Sequence, residues 1–449
     1  MSYRALVVAD DLTGAMDAGW EFAARGFATT VAIAGEDGTP ARETVAEHGV
    51  LVVDTDSRSA SASEAARAVE SAVAAHPAAV VYLKIDSTLR GNPVLAIDAA
   101  LAATDTGIAV FAPAFPATGR TTANGTHLVD GDPVTEAMDG PATPATAHLP
   151  TLLEASKYPV VTCSTERAER GPDAIGERLS EIEEPSIVVC DAESEDHLGA
   201  ITRAAAAVDR RVLSVGSAGL ARHVRLPDDR SADGPTAGTP RGDEPTMNGD
   251  PADPNRAGAG TVLGIAGSTN SRTIEGVAAL PAEQVVALDV PRAIADPEAA
   301  ASEAATDAIE TLTDGGRAVV TSVSDPETIE RRREADVAAG TRAGEADGAS
   351  DGDGTVGERI ERALATIAGE VYDARTPNGL FLTGGAVAAA VLRELDASAI
   401  RLSGEAVERG VPIGRLAGGR AEGVMIVTKA GGFGDERTIA NCVARLGDL

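Results

Sequence analysis

Short apolar runs alternate with longer amphipathic stretches along most of the chain. The first run, Ala5–Ala9, is followed by a stretch at Thr13–Arg25 with helical periodicity, and Ser63–Ala75 and Val94–Ala103 have the same periodicity. The other strands predicted in the first half are Thr29–Ala34, Val50–Asp54, Ala79–Leu83, Ile108–Ala112, Pro159–Thr162, Ser186–Cys190 and Val212–Val215. Strands alternating with helices of this length are typical of parallel sheets, so the pattern predicts an α/β protein.

The alternation stops at Leu226–Gly260, which is rich in proline, glycine, aspartate and threonine and predicts a disordered, acidic linker. It resumes with strands predicted at Thr261–Ala266, Gln284–Asp289, Arg317–Thr321, Gly379–Thr383 and Val424–Thr428. A second flexible insertion is predicted at about 334–357. We therefore expect two α/β domains with mainly parallel sheets, residues 1–226 and 261–449, joined by a flexible linker at 227–260.

Composition narrows the class of protein. At 449 residues and 43% hydrophobic, the chain can bury a large core in each domain. The start of the sequence has no apolar signal-peptide region, and no run approaches the 18 apolar residues of a membrane span. The three cysteines are scattered, which argues against a disulfide framework or a zinc site and favours a reducing cytoplasm.

The formal net charge of −31 is extreme and is spread along the whole chain. Lysine occurs only at Lys84, Lys157 and Lys429, and the other 35 of the 38 basic residues are arginine. An acid-rich, lysine-poor surface is tolerable where salt screens it, so we expect a halophilic protein. With no basic stripe, nucleic-acid binding is disfavoured.

The first candidate chemistry follows the first strand, where Asp10 and Asp11 precede a helix. Ligands of open α/β sheets bind at the carboxyl ends of strands. Two carboxylates there can bind Mg²⁺, accept sugar hydroxyls or act as a general base, although one of them can instead cap the helix. Arg58 ends the segment Asp54–Arg58, which follows another strand. An arginine at a strand end suits a substrate carboxylate, although an ordinary loop would have the same pattern.

Two further loops in this half carry polar groups. Lys84–Asn92 follows a strand and contains Lys84, one of the rare lysines, and Arg90, which can hold a carboxylate through two bonds. Ala112–His127 contains Arg120, a good anion ligand, and His127, for which a structural role is the more common reading.

Three turns in the second half suit phosphate. Gly267–Ser271, Thr383–Ala386 and Thr428–Asp435 each follow an apolar strand, and small residues there let backbone N–H groups approach an anion. The third turn contains Lys429. No P-loop motif, dinucleotide fingerprint or nucleophile elbow is present, which excludes those nucleotide-binding and hydrolase classes.

Together these motifs resemble the four-carbon acid sugar kinase family of threonate, erythronate and 3-oxo-tetronate kinases. The matching segments are ADDLTG at 9–14, DTDSR at 54–58, KIDSTLRGN at 84–92, APAFPATGRTTANGTH at 112–127, GSTNS at 267–271, TGG at 383–385 and TKAGGFGD at 428–435. They follow one another in family order over nearly the whole chain. The resemblance implies an N-terminal sugar-acid domain and a C-terminal ATP domain.

The resemblance also implies roles for individual residues. Those expected on the catalytic or substrate side are Asp10, Asp11, Lys84, Asp86, Arg58, Ser87, Arg90, Arg120 and Asn124. Those expected to contact ATP are Ser268, Ser271, Thr383, Gly384, Gly385, Gly431 and Gly432. Where the family has an acid after TGG this chain has Ala386, so a polar contact to the nucleotide is expected to be missing.

The resulting hypothesis is phosphoryl transfer from Mg–ATP to a hydroxyl of a small sugar acid. Arg58, Arg90 or Arg120 would hold the substrate carboxylate, and Lys84 or Lys429 would stabilise phosphoryl charge. Among Asp10, Asp11 and Asp86, Asp11 is the favoured base.

Two alternatives stay open. One is a non-catalytic sensor of the same fold, which is supported by Ala386 in place of the family's acid, and the other is another sugar-acid-converting enzyme. The pattern leaves the oligomeric state open and allows a homodimer.

Overall fold

A computed structural model describes residues 3–33, 49–138, 143–227, 260–323 and 355–449. Its strands are β1 (Tyr3–Ala9), β2 (Thr29–Ala32), β3 (Val50–Asp54), β4 (Ala78–Lys84), β5 (Ile108–Ala112), β6 (Arg120–Ala123), β7 (Thr126–Val129), β8 (Asp132–Pro133), β9 (Val160–Cys163), β10 (Ser186–Cys190), β11 (Val212–Gly216), β12 (Val262–Ala266), β13 (Val285–Ala287), β14 (Arg317–Thr321), β15 (Gly379–Thr383), β16 (Ala399–Glu408), β17 (Val411–Ala417) and β18 (Met425–Lys429). The apolar runs of the sequence are thus strands, because both faces of a covered parallel sheet are buried.

Helices follow most of these strands and cover the sheet. They are α1 (Leu12–Ala23), α2 (Ala62–Ala75), α3 (Pro93–Thr104), α4 (Leu149–Leu152), α5 (Thr165–Glu169), α6 (Pro172–Ser180), α7 (Glu195–Ala207), α8 (Ala218–Ala221), α9 (Ser271–Ala278), α10 (Val290–Ala295), α11 (Pro297–Gly315), α12 (Val356–Ala374), α13 (Gly385–Glu394) and α14 (Thr438–Gly447). Short 3₁₀ turns occupy Pro116–Thr118, Leu153–Ala155 and Ala282–Gln284. The predicted α/β class with a mainly parallel sheet is confirmed.

One fifteen-stranded sheet runs through the described residues, in the order β13-β14-β12-β15-β18-β17-β16-β2-β3-β1-β4-β11-β5-β10-β9. The two halves join where β2 pairs antiparallel with β16, with Val31 opposite Ile400. Strands β16 and β17 form an antiparallel hairpin that the sequence pattern does not predict. The pattern also misses a small sheet of β6, β7 and β8, whose strands are only two to four residues long.

Helix α1 lies at the junction of the halves. It packs against β16, α8 and α13, and one apolar core contains Met16 and Phe22 from α1 together with Leu392 and Leu416 from the second half. Trp20 Nε1 donates to the carbonyl of Gly404 at 3.1 Å. Because α1 follows β1 directly, this packing carries the Asp10–Asp11 loop to the border with the second half.

The parallel strands of the two halves run in opposite directions along the sheet, since three antiparallel pairings separate them. Six strand-to-strand steps lie between β1 and β15. A twist of about 20° per step accumulates to a rotation on the order of 120°. The residues that follow β1 and β15 lie side by side, since a Cβ at Gly385 would lie 3.4 Å from Asp11 Oδ2, and this border is called the cleft below.

Two sequence predictions fall largely outside the described residues. Of the predicted linker, residues 228–259 are not described, and of the predicted insertion, residues 334–354 are not described. The last residues of that insertion belong to a helix instead, because Thr355 caps α12 and Glu358 completes the capping box. None of the described helices combines the length and apolar composition needed to cross a membrane.

Candidate active site

Arg58 organises the acidic end of the first half. Its Nε and Nη2 donate to the two oxygens of Asp10 at 2.9 and 2.7 Å, and its Nη1 and Nη2 each donate to Asp11 at 2.7 Å. A third carboxylate, Asp86, lies 3.6 Å away. Although burial opposes its charge, Asp11 and Asp10 raise the pKa of the Arg58 guanidinium. The contacts therefore give Arg58 the task of holding the acid pair together.

Asp11 also caps α1, as one reading of the sequence anticipates. Its Oδ1 accepts from the backbone N–H of Gly14 at 2.9 Å, and its Oδ2 accepts from the Thr13 hydroxyl at 2.8 Å. Capping and the bonds from Arg58 use both oxygens of Asp11. Burial raises the pKa of Asp10, and Arg58 opposes that rise.

Asp86 is paired with the other arginine of its loop. Arg90 Nε and Nη2 each donate to Asp86 at 2.8 Å, and Thr88 donates through its hydroxyl and backbone N–H. Burial alone would raise the pKa of Asp86, but Arg58 and Arg90 together hold it well below its usual range. The Arg90 side chain is 41% exposed and its Nη1 makes no hydrogen bond to the described residues, so one edge faces the cleft.

Lys84 lies beneath the acid pair. It is 4% exposed, and its Nζ donates to the carbonyl of Ile85 at 2.8 Å. A Cβ at Gly14 would lie 2.9 Å from this Nζ and 2.5 Å from Asp11 Oδ1. A glycine in the first turn of α1 thus lets the ammonium approach the carboxylates, a contact that an alanine would displace.

Arg120 and His127, in the segment after β5, differ in how their nitrogens are paired. Arg120 donates to the carbonyl of Thr118, its Nε is buried without a partner among the described residues, and burial lowers its pKa. His127 is fully buried between the Thr122 hydroxyl at 3.0 Å and the Ser87 carbonyl at 2.9 Å, and burial lowers its pKa. These contacts support the structural reading of His127.

Asn124 occupies a turn rather than the acid cluster. It has a φ of +51° between β6 and β7, next to Gly125, whose N–H donates to Asp191 at 2.9 Å. Short polar side chains and glycine tolerate such left-handed backbone. The predicted substrate contact of Asn124 stays a prediction, and its surroundings favour a turn role.

The three glycine turns of the second half converge on Ser268. A Cβ at Gly431 would lie 2.1 Å from Ser268 Oγ, and one at Gly384, which has a φ of +100°, would lie 3.3 Å from Ser268 N. Gly432 lies beside Asn270, the residue that caps α9 immediately before Ser271. The structure therefore brings the residues predicted for nucleotide contact together.

Thr383 and Lys429 end the neighbouring strands β15 and β18. The Thr383 hydroxyl is buried and has no partner among the described residues. The fully buried ammonium of Lys429 donates to the carbonyls of Ala430, Gly431 and Phe433 at 2.9–3.1 Å, and burial lowers its pKa to about 8. With three donors used, Lys429 shapes the glycine loop; a direct contact to phosphate stays a prediction.

The two halves touch where α13 begins. A Cβ at Gly385 would lie 3.2 Å from Thr13 Oγ1 and 3.4 Å from Asp11 Oδ2. Gly385 begins α13, whose first turn contains no acidic residue, and Ala386 is exposed there. The positive end of this helix therefore faces the acid cluster.

Sequence reasoning misses one acid near this border. Asp17 lies on α1, and its Oδ1 is 3.8 Å from the position that a Cβ of Gly410 would take, in the turn between β16 and β17. A sequence signal that could have pointed to Asp17 is the spacing of Thr13, Asp17 and Glu21. These residues are four positions apart, so they share one face of a helix made mostly of small and apolar residues.

Comparisons with known proteins agree with this division. Residues 5–224 match the family model described as a sugar-binding N-terminal domain, and residues 263–439 match a nucleotide-binding C-terminal domain. The crystal structure of a Salmonella typhimurium LT2 protein has the same fold, with a TM-score of 0.73 at 22% identity over 97% of this chain and 98% of that one. The fold and the site thus define a two-domain protein with a sugar-binding and a nucleotide-binding half.

Two curated relatives extend over the same length. The chain is 34% identical over 451 residues to a D-threonate kinase from Bordetella bronchiseptica, covering 96% of this chain and 94% of the relative. It is 33% identical over 449 residues to a 3-oxo-tetronate kinase from Methylobacterium radiotolerans, covering 97% of each. The chain belongs to the four-carbon acid sugar kinase family, which confirms the family predicted from its motifs.

Proposed function

We propose that this protein transfers the γ-phosphoryl group of ATP to a hydroxyl of a four-carbon sugar acid such as threonate, erythronate or 3-oxo-tetronate. The observation that carries the proposal is the approach of Gly385, at the positive end of α13, to Asp11 and Thr13. Phosphoryl transfer depends mainly on positioning the two substrates in line and on neutralising charge. An anion-binding helix end beside a polar acid site suits both needs.

The substrate carboxylate would bind at Arg90 and Arg120. Arg58 has four donor contacts to Asp10 and Asp11, whereas Arg90 keeps one edge open and Arg120 has a buried Nε without a partner among the described residues. An arginine with free donors can bind a carboxylate through two parallel bonds. The sugar hydroxyls would then lie toward the acid cluster.

ATP would enter as its Mg²⁺ complex, which is a cosubstrate of the reaction. The described residues contain no group of three or more histidine, cysteine, aspartate or glutamate side chains arranged for a metal. Mg²⁺ usually keeps phosphate and water ligands and needs only one or two protein carboxylates. The first turn of α13 has no acid, so its N–H groups are available to the phosphates. We place this chemistry in the cytoplasm, on the argument from cysteine usage.

The test is ADP formation in a coupled assay with Mg–ATP and each of D-threonate, D-erythronate and 3-oxo-tetronate. Phosphorus NMR of the product would identify the new phosphate ester. Arg90→Ala is expected to raise the KM for the sugar acid at least tenfold while calorimetric ATP binding is unchanged. Arg211→Ala, an exposed arginine before β11, is the matched control.

Absence of turnover with every sugar acid, together with absence of ATP binding, would exclude the kinase. Sugar-acid and ATP binding without turnover would instead favour the sensor. Turnover that does not require ATP would favour another sugar-acid-converting enzyme.

A further inference from the structure

Asp17 is a further acid at the border between the two halves. It is half-buried on α1, one turn beyond Thr13, and it accepts no hydrogen bond from any described residue. Across from it are Gly410 of the β16–β17 turn and the ring of Phe433, which lies 2.7 Å from the position of a Gly410 Cβ. Asp17 therefore lies where the first half meets the hairpin and the glycine loop of the second half.

The other three acids already accept hydrogen bonds from cations. Asp10 and Asp11 share the guanidinium of Arg58, and Asp86 is held by Arg90 and Thr88. Such bonds favour the charged form: they hold the pKa of Asp86 well below its usual range, and at Asp10 they oppose the rise in pKa that burial causes. These acids can orient a sugar hydroxyl, but a base needs a free oxygen.

The surroundings of Asp17 suit a base. The titratable and charged groups that act on it come from several elements. They are Lys84 and Tyr82 of β4, Asp11 before α1, Glu21 further along α1, Arg222 after α8, and Arg409 in the β16–β17 turn. Burial raises the pKa of Asp17 to about 6, and Lys84 opposes the rise. A general base is most effective when its pKa lies near the working pH.

We propose that Asp17 is the general base of the phosphoryl transfer, which is an inference that rests on the proposed function. Its carboxylate takes the proton of the attacking sugar hydroxyl as the hydroxyl oxygen forms its bond to the γ-phosphorus. The bond from that phosphorus to the bridging oxygen breaks, and its electron pair leaves with ADP. Asp17 later releases the proton to solvent, so the carboxylate is regenerated.

The test is Asp17→Asn, which keeps the size of the side chain and removes the base. We expect kcat to fall about 10²–10⁴-fold, as for loss of a general base, while both KM values stay within about threefold. The wild-type kcat should decline on the acidic side with an apparent pKa of about 6, and this acidic limb should be absent from the residual activity of the variant. Calorimetric binding of ADP and of the sugar acid should be unchanged.

Glu21→Gln is the matched control. Glu21 lies one turn further along the same helix face, is 3% exposed and is paired with Arg222 at 3.1 Å. Burial raises its pKa to about 7. Its removal should leave kcat within threefold of the wild type and the acidic limb in place. This result would show that the effect of Asp17→Asn is specific to Asp17 and does not follow from losing any carboxylate of this helix.

Asp17→Glu keeps a carboxylate and provides a second variant should the Asn protein fail to fold. It is expected to retain part of the kcat together with an acidic limb. A kcat of Asp17→Asn within threefold of the wild type, or an acidic limb that persists in it, would overturn the proposal, as would a Glu variant that turns over without any acidic limb. A wild type that phosphorylates no sugar acid defeats the proposed function as well, whereas an active wild type beside an unimpaired Asn variant defeats this inference alone.

Discussion

The two sides of the cleft offer different kinds of atoms to their ligands. The first half presents charged side chains that are already paired, with Arg58 and Arg90 holding three carboxylates. The second half presents backbone and hydroxyl groups on glycine turns, and its buried cation, Lys429, donates to carbonyls of its own loop. A sugar acid needs directional contacts to several hydroxyls, whereas a phosphate chain can be held by N–H groups and a helix end. On the proposed function, the first half would therefore determine substrate selectivity, and the second half would bind the phosphates mainly through backbone N–H groups.

The largest effect is expected from breaking the charge network with Arg58→Met. Removing the cation leaves the largely buried carboxylates of Asp10 and Asp11 with Lys84 as the nearby cation, and breaking a buried ion pair typically costs about 3–5 kcal/mol. Denaturant unfolding at pH 8 measures this loss, and turnover should fall at least 100-fold.

The loss of stability should be smaller at low pH. Without Arg58 the pKa of Asp10 is expected to rise further, so protonation relieves the repulsion between the acids as the pH falls toward 4. Arg58→Lys, which keeps one charge, is the control. An equal loss at pH 8 and pH 5 would contradict the role assigned to the paired charges.

The second-largest effect is expected from Gly431→Val, which crowds the glycine turn beside Ser268. Its Cβ would lie 2.1 Å from Ser268 Oγ, so the two turns must move apart, and crowding of this kind costs about 1–3 kcal/mol. We expect the KM for ATP to rise about tenfold, with the KM for the sugar acid within twofold, in steady-state kinetics.

A glycine with open surroundings provides the control for that crowding. Gly176 in α6 has no atom within 4 Å of its Cβ position, so Gly176→Ala should leave both KM values unchanged. A Gly431→Val protein that instead raises the KM for the sugar acid would show that the two sides of the cleft are not separable.

The smallest effect is expected at the exposed border between the halves. Arg393 of α13 reaches Asp56 at 3.3 Å, and both side chains are about half exposed. Exposed pairs are worth less than about 1 kcal/mol and weaken in salt. A double-mutant cycle of Arg393→Ala and Asp56→Ala, followed by thermal unfolding, should give a coupling below that value. A larger coupling would mean that this pair, and not the α1 packing, holds the halves together.

Much of the molecule could be predicted from local pattern. Apolar runs of β-branched residues predict the buried strands, and the strand at Val50–Asp54 has the predicted bounds. Other ends move by a few residues: the strand predicted at Thr29–Ala34 ends at Ala32, and the one at Gln284–Asp289 shortens to Val285–Ala287. Motif residues at strand ends predicted the acid side and the three glycine turns, because ligand sites of α/β sheets lie at carboxyl ends.

Pairing and partner choice could not be predicted in the same way. Strand β16 of the hairpin carries alternating exposed and partly buried residues at a sheet junction, so its pattern is weaker than that of a buried strand. Nothing local predicts that Arg58 donates hydrogen bonds to both Asp10 and Asp11, since it lies 48 positions after Asp10 and 47 after Asp11. That pairing depends on β1 and β3 lying side by side.

The sequence by itself determined the α/β class, the family and the position of most candidate residues, because periodicity and short motifs are local properties. Tertiary structure alone decided that the ends of β1 and β15, from two sets of strands that run in opposite directions, lie together, with Gly385 beside Asp11. It also decided that Asp17 meets Gly410 there, nearly 400 residues away along the chain. The physical reason is that sheet twist and the packing of α1 act over the whole molecule, whereas a motif describes only its own few residues.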